Sequence, residues 1–228
     1  MPGIVPRVEP VRFGTEDGVS LEAEIRRPET PSVGSAVICH AHPRHGGSKD
    51  HPILWALRND LASRGFVVLA FNFRGTMRSA GTYGAGHAET RDVDAAIGRV
   101  REEAAGPTLV CGWSFGANVA LREALTDDRP GALALIGLPL EPADVEIPPT
   151  PEPSELRVFA RPTLLLAGEG DVYCPPPRLE SLGRTMPKAE VVIVPGTDHF
   201  LWHHEKAVAE TVGSFAVRIL LPADPRQG

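Results

Sequence analysis

The fold of this chain is decided by the stretch Leu109-Val110-Cys111-Gly112-Trp113-Ser114-Phe115-Gly116-Ala117-Asn118-Val119-Ala120. It begins as an apolar run typical of a buried strand, passes through Gly-x-Ser-x-Gly, and continues as an Ala- and Leu-rich helix to about Leu125. A serine on such a sharp strand-to-helix turn is held in a strained backbone conformation, and its hydroxyl is exposed above the sheet. The same pattern also arises by chance in ordinary turns, so its meaning depends on whether a base and an acid follow.

Strands and helices alternate on both sides of this stretch. Two alternating segments flank Asp17-Gly18, which predicts an antiparallel hairpin. The later alternation predicts parallel strands with right-handed crossovers and helices on both faces of a mostly parallel, eight-stranded sheet. The predicted strands are 11–17, 21–27, 35–42, 66–73, 109–113, 132–139, 163–168 and 190–195, and the predicted helices are 51–64, 89–105, 115–125, 154–160, 176–184 and 205–221.

Length and composition indicate one domain over residues 1–228. The chain is 42% hydrophobic and 23% charged, and its net charge of -6 argues against nucleic acid as a partner. The start, Met1 to Arg7, lacks the pattern of a signal peptide, and no apolar run approaches the roughly 20 residues of a membrane span. The odd cysteine count predicts reduced thiols in a cytoplasmic protein rather than zinc ligands: Cys39, Cys111 and Cys174.

Residues 139–160 predict a minimal cap. The first part, 139–153, is rich in proline, which opposes both helix and central strand. A short helix over 154–160, capped by Ser154, would follow. The tail, 222–228, is expected to fray.

A serine hydroxyl needs a base to remove its proton, and His199 is the best candidate. It follows the last strand in Gly196-Thr197-Asp198-His199-Phe200, at the carboxyl end where reactive groups collect in parallel sheets. The other candidates fit less well. His40 should be packed inside a strand, His87 lies in a polar loop, and His203 and His204 should occupy the first turn of the closing helix.

Asp171 is the expected partner of the base, because it closes Gly168-Glu169-Gly170-Asp171 after another strand. Asp171 could instead cap a following helix. Glu169 is its near rival, and Asp144 is a weaker one. Asp198 is a poor choice, since the side chains of neighbouring residues diverge.

Acyl transfer also needs amide donors for the developing oxyanion. Phe115, the residue after the serine, supplies one at the N-terminus of its helix. The second donor should come from the loop after strand 35–42. Pro43 has no N–H, so Arg44 is the first expectation and His45 the second.

With these residues placed, the chain resembles the α/β-hydrolase superfamily, and within it the small bacterial hydrolases with a His-Pro loop after the third strand. The resemblance implies the α/β-hydrolase fold, Ser114 as nucleophile, Asp171 as acid, His199 as base, and no metal or organic cofactor. The matching segments are His42-Pro43-Arg44-His45-Gly46-Gly47-Ser48, Phe71-Asn72-Phe73-Arg74-Gly75, Gly112 to Gly116, Gly168 to Asp171 and Gly196 to Phe200.

Three departures from the family pattern affect the surroundings of the site. Met77 stands where many relatives have glycine, Arg44-His45 makes the oxyanion loop a charged variant, and the cap is reduced to 139–160. Such a small cap should leave the site open, or covered by the neighbouring subunit of a homodimer.

The expected activity is hydrolysis of a carboxylic ester or thioester, with a small acyl substrate as the partner. Aromatic residues near the strand ends could line an acyl pocket, together with His45: Trp113, Tyr173, Phe200 and Trp202. The same triad could serve C–C bond hydrolysis, cyclisation or acyl transfer in a biosynthetic pathway. A non-catalytic binding protein on this fold is the remaining alternative.

Overall fold

The computed structural model describes residues 7–141 and 146–221, so the expectations for Asp144 and for both chain ends lie outside the described residues. The strands are β1 (Arg7–Gly14), β2 (Ser20–Arg27), β3 (Gly34–Cys39), β4 (Phe66–Phe71), β5 (Thr108–Trp113), β6 (Pro130–Ile136), β7 (Thr163–Gly168) and β8 (Ala189–Val194). They form one sheet in the order β1-β2-β4-β3-β5-β6-β7-β8. The pairs β1–β2 and β2–β4 are antiparallel, and all the others are parallel. The predicted mostly parallel sheet with an N-terminal hairpin is therefore confirmed.

Helices cover both faces of the sheet, as predicted. On one face lie α1 (Pro52–Ser63) and α6 (Glu205–Leu220). On the other lie α2 (Glu89–Arg101), α3 (Phe115–Thr126), the short α4 (Pro153–Val158) and α5 (Pro176–Thr185). Because both faces are covered, β3, β4, β5 and β7 are buried at every position, which explains their continuous apolar sequences. No helix in the described ranges is long and apolar enough to cross a membrane.

Two predicted boundaries near histidines were wrong. β3 ends at Cys39, so His40 follows the strand instead of lying inside it. His40 is nevertheless fully buried, and its Nε2 accepts a hydrogen bond from the Phe73 amide at 2.9 Å. α6 begins at Glu205, so His203 and His204 precede the helix rather than forming its first turn.

The predicted cap of α4 was also wrong. The helix begins at Pro153, which needs no amide partner in the first turn, and Ser154 lies within the helix. Glu152 occupies the capping position, and its amide donates to the Glu155 carboxylate at 2.9 Å. The capping position thus lies two residues earlier than predicted.

Arg74 fixes the loop that follows β4. Its guanidinium donates to Asp17 in the β1–β2 turn at 2.8 Å and to Asp92 on α2 at 2.7 Å. Burial raises the pKa of Asp92, an effect that Arg74 opposes. Removing one partner from a buried pair costs about 3–5 kcal/mol, so this arginine holds hairpin, loop and helix in one arrangement. Met77, in the same loop, adopts a left-handed φ of 49° with its side chain exposed, so methionine occupies a conformation that favours glycine.

The part of the cap from Glu146 onward lies along α3 and the loop before α2. Its prolines have no N–H groups, so it is held through its carbonyl oxygens. Asn118 donates to the Pro148 carbonyl at 3.0 Å, and Tyr83 donates to the Glu146 carbonyl. This attachment leaves only a short segment beside the carboxyl ends of the strands.

Candidate active site

Ser114 lies on the turn between β5 and α3, at the centre of the sheet's carboxyl edge. Its φ is 56° and its ψ is -119°, a combination that strains a residue with a Cβ atom by about 1–3 kcal/mol. The Ser114 amide donates to the Ile136 carbonyl at 2.8 Å, and the Ser114 carbonyl accepts from Ala117 at 2.9 Å. These bonds hold the strained turn against the end of β6 and the first turn of α3.

The two glycines of the pattern are required by close backbone contacts. A Cβ atom on Gly112 would lie 2.3 Å from the Gly116 carbonyl oxygen. A Cβ on Gly116 would lie 2.5 Å from the carbonyl oxygen of Cys39, at the end of β3. Only glycine lets the helix, the serine strand and β3 approach one another this closely.

His199 and Asp171 meet Ser114 at the same edge. His199 Nε2 lies 2.9 Å from Ser114 Oγ, and His199 Nδ1 lies 2.8 Å from Asp171 Oδ2. The two partners are 7% and 2% exposed, so little water competes for these bonds. The three residues come from loops after β5, β7 and β8, which parallel pairing brings together.

The hydrogen bonds assign the histidine tautomer. Asp171, as a carboxylate, can only accept, so Nδ1 carries the proton and Nε2 is left to accept the serine hydroxyl proton. Asp171 Oδ1 also accepts from the amides of Tyr173 and Cys174, each at 2.9 Å. These two amides fix the position of the carboxylate beside the imidazole.

The rival acids and bases lie elsewhere. Glu169 accepts from the Gly196 amide at 3.0 Å, and Asp198 accepts from the Phe200 amide at 2.9 Å. His203 is exposed, and the His204 ring is bonded to the Trp202 carbonyl at 2.9 Å. None of these side chains contacts Ser114 within the described residues.

Gly137, just after β6, is a site residue that sequence reasoning missed. Its φ is 55°, and a Cβ there would lie 3.1 Å from His199 Cε1 and 3.4 Å from Asp171 Oδ2. The absence of a side chain at Gly137 therefore makes room for the imidazole. In the sequence, it reads as one more small residue in an apolar strand.

The triad opens into a cavity of about 670 Å³. All five residues predicted to bind substrate line it: His45, Trp113, Tyr173, Phe200 and Trp202. Further lining residues that were not predicted are Ala41, His42, His51, Pro139 and Ile147. His51 precedes Pro52 at the start of α1, a signal for a helix cap but not for a site.

The oxyanion role predicted for Arg44 does not fit the structure. The Arg44 amide donates to Nδ1 of the His42 ring at 3.2 Å, and Arg44 is not among the cavity-lining residues. His45, the second expectation, also has an occupied amide, which donates to the His42 carbonyl at 3.1 Å. The loop forms a single 3-10 turn after His42, in which the amides of Arg44 and His45 are both hydrogen-bonded to His42.

Two other groups of reactive side chains are accounted for structurally. All three cysteines are free and buried, and burial raises the pKa of each thiol, that of Cys111 to about 12. Asp94, Glu123 and Asp127 lie close enough together to hold a cation, but the Arg129 guanidinium pairs with both Asp94 and Asp127.

Comparison with known proteins agrees with this fold. The family model described as an alpha/beta hydrolase domain matches residues 34–215, so the chain belongs to the α/β-hydrolase family. No curated protein matches the sequence.

Similar solved structures span nearly the whole chain. An α/β serine hydrolase without lid from Xanthomonas campestris shares 24% identity over 98% of this chain and 100% of that one, with a TM-score of 0.78. The Pyrococcus furiosus esterase Pf2001 shares 18% over 94% of each chain, with a TM-score of 0.79. Est1E from Butyrivibrio proteoclasticus, with ferulic acid bound, shares 16% over 92% of this chain and 98% of that one, with a TM-score of 0.80. These likenesses show a common fold.

Replacing Gly137 by alanine should impair turnover more than folding. The new methyl group pushes against the His199 ring, and a misplaced base typically costs tenfold or more in kcat, here about 10- to 100-fold. Gly196→Ala is the matched control, because Gly196 also has a left-handed φ, 68°, but nothing lies within 4 Å of its Cβ position.

Urea unfolding should show that both variants lose a similar amount of stability, about 1–2 kcal/mol. Hydrolysis assays should show that only Gly137→Ala loses kcat. Equal kcat in the two variants would contradict the role assigned to Gly137.

Proposed function

We propose that this protein is a serine hydrolase that cleaves a carboxylic ester or thioester through an acyl-enzyme intermediate. The main support for this proposal is a pair of consecutive hydrogen bonds, from Asp171 to His199 and from His199 to Ser114 Oγ, at the base of an open cavity. Esterases among the structures of the same fold support this reaction class.

In the first half of the reaction, Ser114 Oγ attacks the carbonyl carbon while its proton moves to His199 Nε2. The Asp171 carboxylate stabilises the resulting imidazolium and keeps the ring oriented. Collapse of the tetrahedral intermediate breaks the bond to the leaving group, which takes the proton from Nε2. In the second half, His199 removes a proton from water, which attacks the acyl-serine and releases the carboxylic acid and Ser114.

The oxyanion would be held by the Phe115 amide and a second amide from the segment after β3. In the described ranges, the amides of Phe115, Ala41 and His42 have no hydrogen-bond acceptor, and all three residues line the cavity. We assign the second donor to His42, because its ring packs on Phe115 with centroids 5.1 Å apart. Phe115 also starts α3, so the helix dipole favours negative charge there.

The His42 ring holds this donor in place through an ordered chain of hydrogen bonds. Nδ1 accepts from the Arg44 amide, so Nε2 carries the proton and donates to the Tyr83 oxygen at 2.8 Å. Tyr83 in turn donates to the Glu146 carbonyl in the cap. Burial and the nearby His45 lower the pKa of His42. The ring therefore stays neutral, and a neutral ring can both accept from the Arg44 amide and donate to Tyr83.

The catalytic assignment predicts which carboxylate matters. Asp171→Asn should lower kcat by about 10³- to 10⁴-fold, because the amide cannot stabilise the correct tautomer or the imidazolium. Glu169→Gln is the matched control and should leave kcat within about twofold of wild type, since the Glu169 side chain accepts from the Gly196 amide and, within the described residues, makes no hydrogen bond to Ser114 or His199. Both variants are assayed with p-nitrophenyl esters and acyl thioesters, beside Ser114→Ala.

If Glu169→Gln lost turnover and Asp171→Asn retained it, the acid would be misassigned. Activity unchanged in Ser114→Ala would overturn the proposed function itself. The ratio of ester to thioester rates assigns the substrate bond.

The ordered chain at His42 predicts a separate effect of Tyr83→Phe. Losing the hydroxyl removes both the acceptor for His42 and the link to the cap, so kcat should fall about tenfold with little change in KM. Tyr173→Phe is the control, because its hydroxyl makes no hydrogen bond within the described residues. A rise in KM alone would show that Tyr83 contacts substrate instead of positioning the oxyanion loop.

A further inference from the structure

Three cavity-lining rings form a continuous surface that we call the aromatic wall: Trp113, His51 and Trp202. The His51 centroid lies 4.3 Å from that of Trp113 and 5.2 Å from that of Trp202, with interplanar angles of 41° and 46°. Trp113 Nε1 donates to the His199 carbonyl at 3.3 Å. The inner end of the wall is therefore fixed beside the catalytic base, and its outer end lies at the cavity mouth.

The outer end is held outward by strained backbone. Leu201 and His203, on either side of Trp202, have left-handed φ values of 55° and 67°. Leu201 is fully buried and anchors the loop, while Phe200 is 45% and Trp202 47% exposed. Each left-handed residue costs about 1–2 kcal/mol of conformational free energy, and the resulting loop leaves the rings of Phe200 and Trp202 partly exposed to solvent. Strain that exposes apolar surface beside a nucleophile is typical of a binding site.

The cavity around the wall is poor in charged side chains. Its described lining residues include no aspartate, glutamate, lysine or arginine. His51 Nδ1 accepts from the Ile53 amide at the start of α1, and burial lowers the pKa of His51, so the ring is neutral. A charged substrate group next to the scissile bond would lose its hydration without gaining an ionic partner.

We propose that the aromatic wall is the subsite for a planar, uncharged aromatic group of the substrate, so that the enzyme prefers aryl-bearing esters to saturated ones. This inference rests on the proposed hydrolase function. Aromatic rings make favourable offset or edge-to-face contacts with another ring. Such contacts add binding free energy beyond that gained by burying the same apolar area. Because Trp202 lies at the mouth, the group can extend past it into solvent.

Two pairs of esters test this preference; the members of each pair are similar in size, and those of the second pair also share ethanol as the leaving group. Benzyl acetate against cyclohexylmethyl acetate places the ring in the alcohol, and ethyl 3-phenylpropanoate against ethyl 3-cyclohexylpropanoate places it in the acyl group. In at least one pair, kcat/KM should be about 3- to 10-fold higher for the planar ester. The pair that responds identifies which side of the ester faces the wall.

Variants at the exposed end of the wall link the preference to these rings. Trp202→Leu should reduce the planar-to-saturated ratio to below about twofold while the saturated ester is still hydrolysed, and Trp202→Phe should restore the ratio. Trp55→Leu is the matched control, because Trp55 is an exposed tryptophan on α1 outside the cavity, and should leave the ratio unchanged.

Binding to Ser114→Ala, followed by tryptophan fluorescence, separates this inference from the proposed function. Benzyl acetate and 3-phenylpropanoate ester should bind tighter than their saturated partners in the pair that responds, and Trp202→Leu should remove the difference. Equal kcat/KM and equal Kd within both pairs would overturn the subsite while leaving the hydrolase standing. Preferential binding without any Ser114-dependent hydrolysis would instead overturn the proposed function.

Discussion

The backbone conformation of Ser114 is the constraint on which the rest of the structure depends. A residue at φ 56° and ψ -119° is unfavourable alone, and it persists because three neighbouring elements hold it. The Ile136 carbonyl fixes its amide, and the glycines at 112 and 116 let α3 and β3 close around it. This one conformation aims the serine hydroxyl at the imidazole and leaves the Phe115 amide free at the start of the helix.

The parallel sheet supplies the other participants from distant parts of the chain. Loops after β3, β5, β7 and β8 end at one edge, so His42, Ser114, Asp171 and His199 meet without any local sequence relationship. The close approach of these side chains also depends on Gly137, which leaves room for the His199 ring. The reduced cap is fastened through carbonyl oxygens to Asn118 and Tyr83, which leaves the aromatic wall open at Trp202. Fold and site are therefore two consequences of the same strand packing.

Sequence predicted those features that depend on local pattern or on strand ends. Alternation gave the sheet and its helices, glycine spacing gave the turn at Ser114, and strand-end position singled out His199 and Asp171. Tertiary contacts decided the rest. Arg44 looked available as an oxyanion donor, but the His42 ring folds back onto its amide. His51 looked like the first residue of a helix over 51–64, and only tertiary packing brings its ring between Trp113, at the end of β5, and Trp202, in the loop before α6. Gly137 lacked any signal, because its role comes from a ring 62 residues later in the chain.

The most direct test of the account is chemical trapping of the nucleophile. Wild-type protein is incubated with a fluorophosphonate, digested, and mapped by mass spectrometry. We expect one phosphonylated residue, Ser114, and no adduct in the Ser114→Ala variant, because the Ser114 hydroxyl is hydrogen-bonded to His199 Nε2 and lines an open cavity. A folded wild-type protein that forms no adduct, or that is modified at another residue while Ser114 stays intact, would contradict it.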